Sequence, residues 1–130
     1  MTKAYLVAMP TIKDNDMFAK EYASKVADTI KPFEGKFLVR TPNKLIKEGE
    51  EKSLTVVIEF PNKEKALGWY NSPEHQKIVV HRRTATDPSS PIVICEESNT
   101  YEQTKEIIMI DKLGNAFYLI IYLAHFIIVG

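Results

Sequence analysis

The sequence lacks a second cysteine, a net charge and a glycine-rich loop. Because Cys95 is the single cysteine, no disulfide can form within the chain. The 17 basic and 17 acidic residues cancel, which argues against the broad basic surface that a nucleic-acid partner requires. There is no CxxC or HExxH motif, and the spacing from His75 to His81 does not match helical zinc ligands. We therefore expect no nucleic-acid partner, no metal site and no nucleotide-phosphate loop.

Residues 1–14 contain too short an apolar run for a secretory signal peptide, and no small-residue cleavage site follows it. This absence predicts a cytoplasmic location. The 130 residues, 26% of them charged, are typical of one soluble domain with one core. Cys95 ends the apolar run Ile92–Cys95, which predicts a buried and unreactive thiol.

Four segments have the pattern of β-strands. In Leu54–Phe60, two sets of side chains alternate with a period of two, as a strand with two different faces requires. Ala4–Met9 is apolar in both alternating sets, which predicts a central strand covered on both faces. The other two predicted strands are Lys36–Thr41 and Ile92–Glu96.

Two regions have the pattern of helices. From Asp14 onward, large apolar side chains recur every four residues and fall on one face; they are Phe18, Tyr22, Val26 and Ile30. The second region runs from Lys63 to about Arg83 and contains two helix starts, with Asn62 and Ser72 as the predicted N-caps. The aromatic residues Tyr22, Trp69 and Tyr70 are expected in the core or an interface rather than in a ligand-stacking surface.

The order of elements is β-α-β-β-α-β within residues 1–97. Its compact solution is an α+β fold, a ferredoxin-like sheet with strand order 4-1-3-2 and both helices on one face. The charged segment Lys44–Lys52 is predicted to be an edge extension or a hairpin connection. On the helix-free side, Val57 and one set of first-strand side chains form an apolar patch that a monomer would expose. A second copy related by a two-fold axis would cover it, so we expect a homodimer with a barrel-like interior.

Four segments together resemble a known family: AYLVAM, FLVR, VVIEFPNKEKALGWYNSPEHQ and IVICEE. They are similar to the domain-of-unknown-function family numbered 1330, within the dimeric α+β barrel superfamily, over about residues 1–97. The resemblance implies a homodimer of ferredoxin-like protomers. It implies no single activity, because the superfamily includes cofactor-free monooxygenases, isomerases and stress-related proteins. His75 stands where the family pattern has tyrosine after Ser-Pro-Glu.

Arg40 and Glu59 interrupt the apolar character of two strands that are antiparallel neighbours in this fold. We expect them to face each other. One interpretation is a desolvated ion pair in which an anionic ligand competes with Glu59 for the guanidinium. The other is a structural cross-strand pair without a ligand.

His75 lies at the start of a predicted helix, where the helix dipole disfavours the imidazolium. A neutral ring there could accept a proton from a substrate, or His75 could be a partly exposed surface residue. His81, Arg82 and Arg83 lie near the helix end, where cations stabilise the negative pole of the dipole.

The predicted function is a homodimer that binds or transforms a small anionic molecule by cofactor-free acid–base chemistry. In this hypothesis His75 or Glu59 takes the proton and Arg40 holds the anion. The alternative is a non-catalytic binding or structural dimer, with or without membrane association through an apolar tail.

Residues 98–130 form a predicted C-terminal extension, in which Ala116–Val129 is almost entirely apolar. As a helix this run would be about 21 Å long, which is short for a hydrocarbon core of about 30 Å. We favour packing on the domain or its partner over membrane contact. A third interpretation is an extension unrelated to the native function.

Overall fold

The computed structural model describes residues 2–98 and residues 108–109. The chain divides into two compact units, residues 1–97 and residues 98–130. All the strands and helices given below lie in the first unit. The predictions for the run Ala116–Val129 lie outside the described residues. Within the part of the chain that is described, no helix is both long enough and apolar enough to cross a membrane.

The elements follow the predicted order. The strands are β1 (Ala4–Ala8), β2 (Lys36–Thr41), β3 (Thr55–Phe60) and β4 (Ile92–Glu96). The first helical region comprises α1 (Asn15–Met17), a π-helical segment (Phe18–Ala23), α2 (Ser24–Ile30) and a 3₁₀ turn (Lys31–Phe33). The second comprises α3 (Lys63–Tyr70) and α4 (Pro73–Ala85). Each strand boundary lies within one residue of its predicted position.

Side-chain caps start the three helices α1, α3 and α4. The Asp14 carboxylate accepts a hydrogen bond from the backbone N–H of Met17, and the Asn62 side chain accepts one from that of Lys65. The Ser72 hydroxyl accepts from the N–H of His75, with Pro73 in the first helical position. These caps satisfy backbone donors that have no partner inside the helix. The predicted N-caps Asn62 and Ser72 are confirmed.

The four strands form one antiparallel sheet in the order β2-β3-β1-β4. This is the predicted order 4-1-3-2 read from the other edge, so the ferredoxin-like topology is confirmed. On the central strand β1, alternate residues are buried towards the helices; they are Ala4, Leu6 and Ala8. The largest fully buried apolar side chains between sheet and helices are Trp69, Phe60, Ile30, Ile58 and Val79.

A β-bulge interrupts β2 between Phe37 and Val39. Before the bulge Phe37 pairs with Ile58, and after it Arg40 pairs with Val56. Residues three apart on a regular strand point to opposite faces, but the extra residue in a bulge restores a common face. Phe37 and Arg40 therefore both point to the helical side of the sheet.

The opposite side of the sheet, called here the helix-free face, carries one valine from each strand in a continuous row. Val7 pairs with Val57 and with Val93 on its two sides, and Val57 pairs with Val39. At the two sheet edges, Val39 is 36% exposed and Val93 is 52% exposed. The apolar patch predicted from the sequence is therefore present on the single chain.

One local prediction is wrong, and another is confirmed in one of its two alternatives. Cys95 is exposed rather than buried, because it pairs with Tyr5 and so lies on the helix-free face. The segment Lys44–Lys52 contains no strand, so the predicted edge extension is absent, but the segment connects the antiparallel neighbours β2 and β3, which confirms the alternative of a hairpin connection. Its charged residues gain no sheet partner.

Candidate functional site

A pocket of about 470 Å³ lies between the helical regions and the sheet. Its walls are largely apolar, with side chains from β1, β2, β3 and the first helical region; among them are Leu6, Phe18, Val26, Phe37, Val56 and Ile58. Its polar groups come chiefly from β2 and the helical regions and include Tyr22, Arg40, Tyr70, His75, Arg82 and Arg83. An apolar cavity with a few convergent polar groups has the character of a small-molecule site.

His75 links two tyrosines through the two nitrogens of its ring. Nδ1 lies 2.9 Å from the backbone oxygen of Tyr70, and Nε2 lies 3.0 Å from the hydroxyl of Tyr22. Since a carbonyl oxygen only accepts hydrogen bonds, Nδ1 carries the proton in the neutral ring. Nε2 is then the acceptor, and the Tyr22 hydroxyl donates to it.

Local helix geometry explains the position of this ring. α3 ends at Tyr70, and Ser72 is already the N-cap of α4. Because the link between the two helices is this short, the carbonyl of Tyr70 faces the first turn of α4. The ring of His75 packs on Trp69, with 4.2 Å between the ring centroids, and its side chain is fully buried. His75 is therefore not the partly exposed surface residue that one interpretation predicted.

The charge state of His75 follows from its surroundings. Burial lowers its pKa below the ordinary value, the positive charges of Arg82 and Arg83 act in the same direction, and the hydrogen bond to the Tyr70 carbonyl opposes them. The ring is thus neutral at neutral pH. Its role as a proton acceptor remains a prediction.

Tyr22 lies in the π-helical segment of the first helical region and is 8% exposed. Burial raises the pKa of its hydroxyl to about 12, against the opposing effect of Arg82. The phenol therefore keeps its proton at neutral pH. π-helical turns occur frequently at functional sites.

Arg82 is the most unusual residue of the pocket, because a guanidinium is rarely buried without a carboxylate partner. Its side chain is 9% exposed, and its Cζ atom lies 5.6 Å from the centroid of the Tyr22 ring. No atom of the described residues forms a hydrogen bond with its buried Nε. No described carboxylate lies within ion-pair distance of it.

Two further arginines line the pocket. Arg40 donates from Nη2 to the backbone oxygen of Ala23 at 2.7 Å, and its Cζ lies 4.8 Å from the centroid of the Phe37 ring. Arg83 is exposed, and hydrogen bonding to it is the largest of the effects that lower the pKa of Tyr70.

Asp87 is the one carboxylate among the described residues that line the pocket. It accepts hydrogen bonds from the hydroxyl and the backbone N–H of Ser89, which hold its pKa below the ordinary value. Against this single negative charge stand the three guanidinium groups of Arg40, Arg82 and Arg83. The pocket is therefore positively charged overall.

The predicted pairing of Arg40 with Glu59 is wrong. The cross-strand partner of Glu59 on β2 is Lys36, and Glu59 lies on the helix-free face with Tyr5. Its carboxylate is 3.2 Å from the Lys3 ammonium group. The bulge turns Arg40 to the helical side of the sheet, so the two side chains occupy opposite faces. Glu59 does not line the pocket, whereas Arg40 and His75 do.

Among residues 2–98 and 108–109, no three His, Cys, Asp or Glu side chains are grouped so that they could hold a metal ion. The polar end of the pocket instead offers hydroxyl, imidazole and guanidinium groups. Of these, the guanidinium groups are the donors suited to an oxyanion, because the ring nitrogens of His75 and the hydroxyl proton of Tyr22 already take part in hydrogen bonds.

Sequence reasoning did not identify Tyr22 and Arg82 as site residues. Arg82 was interpreted only as a stabiliser of the helix end, although it lies seven residues after His75 on the buried face of α4, with Ile78 and Val79 between them. Tyr22 was assigned to the apolar face of its helix, which is correct for its ring. A hydroxyl and a guanidinium on two otherwise apolar helix faces were the signals available.

Residues 3–98 match the model of a protein family described as Domain of unknown function (DUF1330). This match covers most of the chain and confirms the resemblance inferred from the sequence. No curated protein matches the chain significantly.

Solved structures share the fold at low sequence identity. A protein of unknown function from Rhodopseudomonas palustris, RPA0582, is 13% identical with a TM-score of 0.63; the match covers 75% of this chain and 84% of that one. A dimeric ferredoxin-like protein of unknown function from Jannaschia sp. CCS1 is 16% identical with a TM-score of 0.56, covering 74% and 98%. SnoaB, a cofactor-independent oxygenase from Streptomyces nogalater, is 14% identical with a TM-score of 0.54, covering 78% and 98%. At these identities the likeness shows the ferredoxin-like fold alone.

Proposed function

Because the chain belongs to the Domain of unknown function (DUF1330) family, whose description names no activity, we propose a function from the pocket itself. The protein binds a small organic anion in the pocket and catalyses cofactor-free proton transfer on it. The observation that carries this proposal is the buried guanidinium of Arg82, whose Nε has no hydrogen-bond partner among the described residues.

A buried polar donor without a partner costs stability unless a ligand or water completes it. Arg82 is held over the ring of Tyr22 at one side of the pocket, and its charge has no described carboxylate to balance it. A carboxylate or enolate oxygen would supply both the missing acceptor and the missing negative charge. Arg40, the residue favoured from the sequence, contributes a second positive charge to the same pocket.

The neutral His75 and the phenol of Tyr22 support acid–base chemistry next to this anion site. A ring with a lowered pKa remains a base at neutral pH, and it is already hydrogen-bonded to the hydroxyl of Tyr22, a residue that lines the pocket. Neither the binding of the anion nor the proton transfer requires a cofactor. The oxygenase SnoaB, which has the same fold, is described as cofactor-independent.

We propose that the protein acts as a homodimer through the helix-free face. The row formed by Val39, Val57, Val7 and Val93 is apolar and partly exposed on the single chain. A second sheet would remove this surface from water. The fold neighbour from Jannaschia sp. CCS1 is described as dimeric. The cytoplasmic location expected from the sequence remains a prediction.

The anion proposal can be tested with benzoate and its neutral isostere benzamide. Calorimetric titration of the full chain should show binding of benzoate and at least about tenfold weaker binding of benzamide, since a hydrogen bond to a charged group contributes about 1.5–3 kcal/mol. Arg82→Met should lose the preference for benzoate. Lys77→Met, which removes a charge from an exposed position of the same helix, should keep it. Equal binding of the two probes, or a preference that survives Arg82→Met, would refute the proposal.

A further inference from the structure

We infer that Tyr22 exchanges the proton with the bound molecule, that His75 acts through Tyr22, and that the substrate is a 2-oxo acid with an apolar side chain. This inference rests on the proposed anion site and deepens it.

Both nitrogens of His75 are already occupied. Nδ1 donates to the Tyr70 carbonyl at 2.9 Å, Nε2 accepts from the Tyr22 hydroxyl at 3.0 Å, and the side chain has no exposed surface. A ligand therefore cannot reach the basic nitrogen directly. The hydroxyl oxygen of Tyr22 keeps a free lone pair and belongs to a side chain that lines the pocket. Tyr22 is the catalytic residue in this arrangement, and His75 is a positioning residue that stores the proton.

The proton-transfer step balances without any co-reactant. The C3–H bond of the substrate breaks, its electron pair stays on the substrate as an enolate, and the proton forms a new O–H bond on Tyr22. The original hydroxyl proton of Tyr22 moves at the same time to Nε2 of His75, which becomes an imidazolium. Reversal of both transfers returns a proton to C3 and restores the neutral phenol and the neutral ring.

We infer the substrate class from the position of Arg82 beside Tyr22. The guanidinium carbon lies 5.6 Å from the centroid of the Tyr22 ring, so an anion held by Arg82 has its neighbouring carbons close to that side chain. In a 2-oxo acid the carboxylate and the keto oxygen sit on adjacent carbons and fit one guanidinium fork together. The acidic C3–H is then the next position along the molecule. The negative charge that forms on the keto oxygen develops beside Arg82, where it is stabilised.

The rest of the pocket sets the character of the substrate side chain. Beyond the polar end, the walls are formed by Phe18, Val26, Phe37, Val56 and Ile58. A volume of about 470 Å³ is much larger than the oxo-acid group alone needs. An aromatic or branched apolar side chain would fill it.

The mechanism predicts how the exchange rate depends on pH. His75 is faced by Tyr22 from the π-helical segment, by Trp69 and Tyr70 from α3, and by the charges of Arg82 and Arg83 from α4. Burial and the two cations lower its pKa, so the ring remains a base at pH values somewhat below its ordinary 6.5. The exchange rate should be flat around neutral pH and fall only when acidity protonates this ring.

The inference is tested by following deuterium exchange at C3 of phenylpyruvate in D₂O by proton NMR, using the full chain. We expect the protein to accelerate exchange above the buffer rate, and Tyr22→Phe to lower this acceleration by about 100-fold, the usual contribution of a positioned acid–base group. Benzoate affinity of Tyr22→Phe should stay within about threefold of the original, because Arg82 is retained. His75→Gln should also lose exchange, and any residual rate should no longer depend on pH below neutrality.

The outcomes separate the two proposals. Benzoate binding that depends on Arg82, with no accelerated exchange or with exchange unaffected by Tyr22→Phe, would overturn the inference and leave an anion-binding protein. Absence of any benzoate or phenylpyruvate binding would overturn the proposed function and the inference together. If Tyr22→Phe does not fold, the pH profile of the original protein decides: a rate that falls only below the ordinary imidazole pKa supports the inference, and a rate insensitive to pH overturns it.

Discussion

The hydroxyl of Tyr22 lies 3.0 Å from Nε2 of His75, although 53 positions separate the two residues in the sequence. This hydrogen bond joins the first helical region to the start of α4, and both side chains are buried. It orients the ring so that its other nitrogen meets the Tyr70 carbonyl. The same pair therefore affects folding stability and the proposed chemistry.

Stability should depend on pH through His75. Its pKa is lowered in the folded chain and returns to about 6.5 on unfolding, so the unfolded chain binds more protons below that pH. The free energy of unfolding should fall as pH drops below about 6.5, by at most about 1.4 kcal/mol per pH unit from this group. Urea denaturation between pH 5 and pH 8 measures the slope. His75→Gln should flatten it, whereas His81→Gln on the same helix should not; equal slopes in both variants would contradict the assignment.

Thr29 should stabilise the core through its hydroxyl. Trp69 donates from Nε1 to Oγ1 of Thr29 at 2.9 Å, and this hydroxyl donates in turn to the Val26 carbonyl. Thr29→Val keeps the volume but leaves the buried indole N–H without an acceptor, which should cost about 1–3 kcal/mol. Thr29→Ser retains the hydroxyl and serves as the control. Chemical denaturation that finds Thr29→Val as stable as Thr29→Ser would show that the hydrogen bond contributes nothing.

Arg40 and Glu59 should be energetically independent. They lie on opposite faces of the sheet, and Glu59 pairs with Lys3 instead. In a double-mutant cycle of Arg40→Met and Glu59→Gln, the changes in unfolding free energy should add within about 0.5 kcal/mol. A coupling energy well above this value would mean that the two charges interact, as the sequence had suggested.

The helix-free face should hold the homodimer together. Val57 lies in the middle of the valine row, between Val39 and Val7. Val57→Lys places a charge in the proposed interface and should convert the dimer to a monomer in analytical ultracentrifugation. Val80→Lys is the matched control, because Val80 is a 52% exposed valine on α4 and should leave the dimer intact. A dimer that survives Val57→Lys, or an original protein that sediments as a monomer, would contradict the proposed interface.

The sequence was sufficient to predict the fold because periodicity and caps are local signals. Asn62 and Ser72 start their helices as expected. The strand predicted from the alternation in Leu54–Phe60 differs from the observed β3 by one residue at its start. The sheet order followed from the sequence of elements and the preference for right-handed connections. The periodicity and the caps depend only on residues that are close together in the sequence.

The site was only partly predictable, because it depends on contacts between distant residues. His75 and Arg40 were identified, but the bulge near Phe37 places Arg40 on the face opposite to Glu59, and no strand pattern shows this bulge. In the sequence, Arg82 is one of two adjacent basic residues near a helix end, and this position gives no sign of burial. Its burial follows from the packing of α4 against the first helical region, which only the tertiary structure determines.

The central claim is that the buried Nε of Arg82 binds the negative charge of a small organic molecule. The most direct measurement is the ¹H–¹⁵N signal of the Arg82 Nε–H group, assigned as the arginine side-chain signal that disappears in Arg82→Met, followed while benzoate or benzamide is added. We predict a saturable shift of this signal with benzoate and little change with benzamide. A signal unchanged by saturating benzoate, or shifted equally by both molecules, would contradict the claim.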